Sequence, residues 1–198
     1  RNMSKKWITI GIIVVAVFLI YNFFSGKYNN MVAMEENVNT QWSNVETQYQ
    51  RRYDLIPNLV NTVKGFAEQE REVLTGVTEA RAKASSIQID PANLNENTLQ
   101  QFQQAQGQLN SALSRLLVTV ERYPDLKSNQ NFLELQAQLE GTENRIAVSR
   151  QRFNTAAQEY NTYIRSFPNN TLAGMYGFER KPLFEADQGA ESAPKVEF

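Results

Sequence analysis

The sequence predicts an all-α protein: a single N-terminal transmembrane helix followed by an elongated antiparallel up-and-down helical bundle. Three observations carry this. Residues 7–24 read WITIGIIVVAVFLIYNFF, an apolar run without a charge. Beyond it, apolar residues recur at alternating steps of four and three, the spacing of a helix stripe packed against other helices. No stretch of useful length alternates apolar and polar residues as a half-buried strand would.

The run has the length of a membrane span, since about 20 residues at 1.5 Å each cross a hydrocarbon core of about 30 Å. A cleavable signal sequence is the rival reading, and Arg1, Lys5 and Lys6 supply its basic start. The residues that follow the core, Asn22-Phe23-Phe24-Ser25-Gly26-Lys27, lack the small-residue cleavage pattern. An uncleaved anchor is the expectation, with Trp7 and Tyr21 or Tyr28 at the aromatic belt. Three cations precede the segment and only Lys27 follows closely, so the N-terminus is expected in the cytoplasm and the bundle outside it. The layout is a short basic start (1–6), the span (7–24), a helical bundle domain (28–167) and a tail (168–198). The first part of the tail is expected to dock and its last ten or so residues to be loose.

The first long seam runs Val38, Trp42, Val45, Tyr49, Arg52, Ile56, Leu59, Val63, Phe66, Glu70, Val73, Val77, Ala80 and Ala84. Pro57 falls inside it. Proline costs about 3 kcal/mol within a helix, yet the phase survives, so the helix is expected to kink or break briefly near Pro57 while keeping its seam. The alternative is a turn there, with Asp54 as N-cap and Pro57 in a new first turn. A connector, Ser85–Glu96, follows, with Asp90-Pro91 as a turn signal. The second helix spans about Asn97 to Tyr123, its stripe Leu99, Phe102, Gln106, Leu109, Leu113, Leu116, Val120 and Tyr123, and Pro124 ends it. The third spans about Ser128 to Phe167 on the stripe Phe132, Leu135, Leu139, Thr142, Ile146, Ser149, Phe153, Ala156, Tyr160, Tyr163 and Phe167. Short connectors between three long helices give antiparallel neighbours.

Composition narrows the chemistry. Residues 1–27 carry four cations and no acid, which leaves 16 Lys and Arg against 21 Asp and Glu for the rest, a balance of −5. That opposes a phosphate-binding face, so no nucleic-acid partner is expected. The chain contains neither histidine nor cysteine. Thiol nucleophiles, Ser-His and Cys-His pairs and His- or Cys-based zinc sites are thereby removed. No catalytic, cofactor-binding or metal-binding residues are assigned, and no cofactor. Acidic residues cluster at Glu35-Glu36, at Glu68, Glu70 and Glu72, and at Glu140 with Glu143, but a dimetal bundle site would add Glu-x-x-His motifs. Asn169-Asn170-Thr171 matches a glycosylation acceptor by chance. Arg52 and Glu70 interrupt the first seam. They are read as a register-setting polar layer or exposed positions rather than a docking pair, with Gln106, Thr142 and Ser149 read as members of a polar layer or as narrow small-residue contacts. The seam aromatics Trp42, Tyr49, Phe102, Phe132, Phe153, Tyr160 and Phe167 are read as core.

Several blocks resemble the LemA family. They are YNNMVAMEENV (28–38), WSNVETQYQRRYDLIPNLVNTVKGFAEQE (42–70), EARAKA (79–84), ERYPDLKSNQNF (121–132), LEGTENRIAVSRQRFN (139–154) and GMYGFERKPLFEA (174–186). The resemblance runs from the anchor to about Ala186. It implies a bacterial membrane protein with one N-terminal span and a bundle of four helices, with no established enzymatic activity and no accepted catalytic residues to carry over. The family's topology has also been drawn the opposite way, with the short N-terminus outside.

The function expected from these readings is a membrane-anchored, non-enzymatic scaffold or interaction protein. Its partners would be the lipid bilayer, through residues 7–24, and a second copy or another membrane protein. An extracytoplasmic sensory accessory acting through a partner is the alternative. Membrane remodelling ranks lower because it calls for a basic face or an insertion helix.

Overall fold

A computed structural model describes residues 5–185. Among them are six α-helices and one turn of 3₁₀-helix: α1 (Lys5–Phe66), α2 (Arg71–Ser86), the 3₁₀ turn (Pro91–Asn93), α3 (Glu96–Val120), α4 (Pro124–Lys127), α5 (Gln130–Arg165) and α6 (Asn169–Tyr176). The first four residues and residues 186–198, where the loose end of the tail was expected, lie outside the described residues.

α1 is the spine. It runs without interruption through the apolar run and on into the bundle, 62 residues in all, about 90 Å at 1.5 Å per residue. The side chains of residues 6–24 are exposed, and from Met31 onward a stripe is fully buried: Met31, Val38, Trp42, Val45, Ile56, Leu59 and Val63. Among the described residues it is the one helix long and apolar enough to cross a membrane.

The bundle has four long helices, α1, α2, α3 and α5, where the periodicity alone gave three. The break expected near Pro57 falls instead at Ala67–Glu70, and Pro57 lies inside α1. The heptad phase concealed this because it continues from Phe66 to Val73 while the chain reverses. α2 returns along α1: Arg81 reaches the carbonyl of Tyr53, the Tyr53 hydroxyl reaches Ala84, and Trp42 reaches Ile89 just beyond α2.

Pro57 is accommodated by that reversal. A proline withholds the N–H that would bond the carbonyl four residues back, here Tyr53. The Arg81 Nε–H of α2 donates to that carbonyl at 2.7 Å. Arg81→Leu therefore orphans a buried carbonyl and is expected to cost about 1–3 kcal/mol. In a Pro57→Ala background the restored helical N–H takes over, and the cost of Arg81→Leu should shrink. Denaturant unfolding of the four-member cycle measures this coupling.

Local chemistry explains the other boundaries. Asn95 caps α3 in a reciprocal box, accepting from the Thr98 N–H at 3.1 Å while the Thr98 hydroxyl accepts from the Asn95 N–H at 3.0 Å. Asp90 accepts from the Ala92 N–H at 3.0 Å, as its turn signal suggested. α3 ends at Val120, ahead of the expected Tyr123, and Pro124 opens α4. Asn129 caps α5 through the Phe132 N–H at 3.1 Å. α6 stops at Gly177, whose φ of +76° suits glycine.

α5 packs along α1 over most of the bundle, α2 packs on the distal half of α1, and α3 packs on α2 and reaches α1 through side chains such as Phe102 and Gln106. Where the α2–α3 connector ends the coverage, beside Trp42, the chain after α6 takes over. Residues 178–185 run back along α5 and place buried Phe184 against Trp42 and Phe153.

Candidate functional site

Three polar or aromatic constellations stand out along the spine. The first is a layer at mid-bundle. Arg52, 1% exposed, projects from α1 between α3 and α5. Its Nη1 donates to Asn110 Oδ1 at 2.8 Å and to Glu143 Oε1 at 2.7 Å. Its Nη2 donates to the Gln106 carbonyl oxygen, and the Gln106 amide donates to the Tyr53 hydroxyl. That hydroxyl donates in turn to the Ala84 carbonyl at 3.2 Å. The guanidinium lies 5.1 Å from the Tyr49 ring centroid. Arg52 thus joins α1 to α3 and α5, and the relay through Gln106 and Tyr53 extends the layer to α2.

Arg52 and Gln106, both singled out in the sequence, do form this polar layer. Thr142 is buried, but its hydroxyl bonds its own helix at Gln138. Ser149 is half-buried and outside the network. Glu140 and Glu143 separate, since Glu140 is exposed and accepts from Gln136. Glu70 belongs to a different place. At the distal end it accepts from the Tyr123 hydroxyl at 2.8 Å and pairs with Arg122 at 3.1 Å, pinning the α1–α2 turn to the α3–α4 turn. Glu68 pairs loosely with Arg71 at 3.7 Å, and Glu35 with Lys181 at 2.7 Å. Among the described residues no three carboxylates gather into a metal-sized cluster. Asn169, the glycosylation-like asparagine, is buried and donates to the Tyr163 carbonyl at 3.0 Å.

The second constellation centres on Trp42. Its ring meets Phe102 of α3 at 5.7 Å, Phe153 of α5 at 5.5 Å and Phe184 of the tail at 5.9 Å, nearly parallel to the last. Its Nε1–H donates to Ile89 of the connector at 3.2 Å. The tail beside it is held by two asparagines on α5 that the sequence reading missed. Asn161 donates to the Lys181 carbonyl at 2.8 Å and accepts from the Lys181 N–H at 2.9 Å. Asn154 does the same with Phe184 at 3.0 and 2.8 Å. Each carboxamide thereby substitutes for a neighbouring strand. Their spacing of one heptad on the inward face was the available signal.

The third lies where α1 leaves the bundle. The Lys27 ammonium sits 5.7 Å from the centroids of both the Phe23 and Tyr163 rings. Tyr28 meets Tyr176 at 4.9 Å and Phe178 at 5.7 Å. Phe167 corrects the sequence reading. Assigned to the core by its place on the seam, it lies past the end of α5 and is 86% exposed. The other six seam aromatics are buried.

Burial dominates the titration of the core tyrosines. It pushes Tyr49 up to about 12, against the smaller opposing pull of Arg150 and Arg52. It also raises Tyr53, with Gln106 and Arg52 opposing, and Tyr160, where Glu35 and Glu179 add to the rise. A tyrosine raised in the folded state contributes stability that is complete below its unfolded value near 10 and is lost as pH rises through the folded value. Unfolding midpoints are therefore expected to hold to about pH 10 and to fall toward pH 12. Tyr49→Phe should remove part of that fall, as denaturant titrations across the range would show.

Residues 41–198 match the model of the LemA family. Magnetosome protein MamQ 2 of Paramagnetospirillum magneticum is 28% identical over 196 aligned residues, covering 88% of this chain and 71% of the relative. Protein LemA of Metamycoplasma hominis is 22% identical over 184 residues, covering 93% and 80%. Magnetosome protein MamQ of Magnetospirillum gryphiswaldense is 28% identical over 177 residues, covering 80% and 64%.

Proposed function

The chain belongs to the LemA family, and from that premise we propose that it is a non-enzymatic scaffold of a bacterial membrane, anchored by residues 7–24. The single continuous helix α1 carries this reading. It makes the exposed apolar segment and the buried spine of the bundle parts of one continuous helix. Such a rod presents fixed lateral faces to a second copy or to another membrane protein. The polar groups gathered inside, Arg52 with Gln106 and Glu70 with Tyr123, are consumed in holding helices together. We further propose that the bundle stands outside the cytoplasm, on the strength of Lys5 and Lys6 before the span against Lys27 after it.

Cross-linking in native membranes at native expression tests the scaffold role. Discrete higher-mass adducts are expected with at least one linker length. Recovery of the monomer alone across several lengths would remove the proposal. A sensory accessory would instead reveal itself through a changed stress response on deletion.

A further inference from the structure

We propose that the turn after α5, together with α6, forms a foot that seats the bundle in the headgroup layer of the membrane. The inference rests on the reading of residues 7–24 as a membrane span. α5 descends toward the anchor, and its Tyr163 hydroxyl accepts from Asn30 while its ring lies beside Lys27. α5 continues two residues further, to Arg165, about 3 Å along its axis, and Phe167 lies just past that end. The exit turn therefore lies within about one helical turn of Phe24, the last residue of the apolar run. α6 then turns back, and Tyr176 packs on Tyr28, itself about 6 Å beyond Phe24. The headgroup layer on each side of the hydrocarbon is about 5–8 Å deep. The foot and that layer therefore coincide in height, and α1 has no break between them to change the relation.

The chemistry fits a lipid interface. Phe167 is 86% exposed, Met175 73% and Tyr176 59%. α6 buries Leu172 and Ala173 against the bundle and leaves Met175 and Tyr176 outward. With Phe23, Phe24 and Tyr28 these make an apolar and aromatic rim around the exit of the span, flanked by Lys27 and the exposed Arg165. Aromatic rings and snorkelling cations favour this depth. A bundle standing clear of the bilayer would leave Phe167 and Met175 in water with nothing to cover them. The occupant is the lipid interface on the same side as the bundle.

The chain has no cysteine, so single labels are unambiguous. The full-length protein, reconstituted in phosphatidylcholine–phosphatidylglycerol vesicles, is labelled with bimane at Ser166→Cys, Met175→Cys, Ile13→Cys or Val118→Cys. Emission is compared with and without lipid carrying a nitroxide near the headgroup. Strong quenching is expected at 166 and 175 and little at 118, an exposed distal position. Phe167→Asp in the Ser166→Cys chain should reduce quenching at 166 with helicity unchanged, since Phe167 packs on nothing that folding needs. Quenching at 166 and 175 no greater than at 118, with a nitroxide deep in the chain region still quenching position 13, would overturn the foot and leave the anchor intact. Loss of quenching at 13 as well would overturn the anchor on which the inference rests.

Discussion

Trp42→Ala is expected to lower the unfolding free energy of the bundle by about 3–5 kcal/mol, the range for removing a large buried ring from a core that cannot close over it. The indole touches three elements and bonds a fourth. Phe102, Phe153 and Phe184 lose an aromatic neighbour at 5.5–5.9 Å, and the Ile89 carbonyl loses its donor. Trp42→Phe separates the two contributions. It keeps most of the ring area but orphans the carbonyl, so about 1–3 kcal/mol should remain. Because Phe184 stacks on Trp42, the tail should loosen first. Trypsin should cut the alanine variant after Arg180 under conditions where the parent resists. An alanine variant as stable as the parent, with a protected tail, would show that the ring does not join these elements.

Arg52→Ala is the second large effect. Removing one partner of a buried charged pair costs about 3–5 kcal/mol because the rest stays buried and unpaired. Here the stranded groups differ. Gln106 is buried, whereas Asn110 is exposed and the Glu143 side chain is 44% exposed, so water can rescue both. The lower end of the range, about 3 kcal/mol, is therefore expected. Arg52→Met with Gln106→Leu fills the same volume without stranding a polar group and should return to within about 1 kcal/mol of the parent. What that double variant should lose is discrimination between helix registers, since an apolar layer no longer demands that these side chains meet. Broader amide resonances at unchanged stability would be the sign. If Arg52→Ala costs no more than a surface substitution, the layer contributes nothing to holding the helices.

Most of the architecture was legible because helix periodicity survives any tertiary arrangement. The anchor, the seam from Val38 to Val63 and the stripes of α3 and α5 follow from residues recurring every three or four positions. The reversal at Ala67–Glu70 was not legible, because a seam reports which face is apolar and not the direction in which the chain runs. Pro57 drew attention as the breaker, but its cost depends on whether the Tyr53 carbonyl finds another donor, and Arg81 lies in a helix whose placement the pattern could not give. The polar layer was half legible. Arg52 and Gln106 interrupt apolar stripes, whereas Asn110 and Glu143 sit on stripe edges and join only through the reach of a guanidinium. The tail clamps of Asn154 and Asn161 left only their heptad spacing as a signal, because an asparagine facing a seam does not announce the extended segment it will bind. Phe167 misled because it keeps the rhythm of α5 past the helix end.

The anchor and the bundle share one unbroken helix. Spin labels at Ile12→Cys and Ser43→Cys, in the protein reconstituted in lipid nanodiscs, measure it by pulsed electron–electron resonance. A continuous helix predicts one narrow distance distribution centred at about 46 Å, 1.5 Å for each intervening residue. A broad distribution reaching much shorter distances would reveal a hinge near Gly26 and contradict the account.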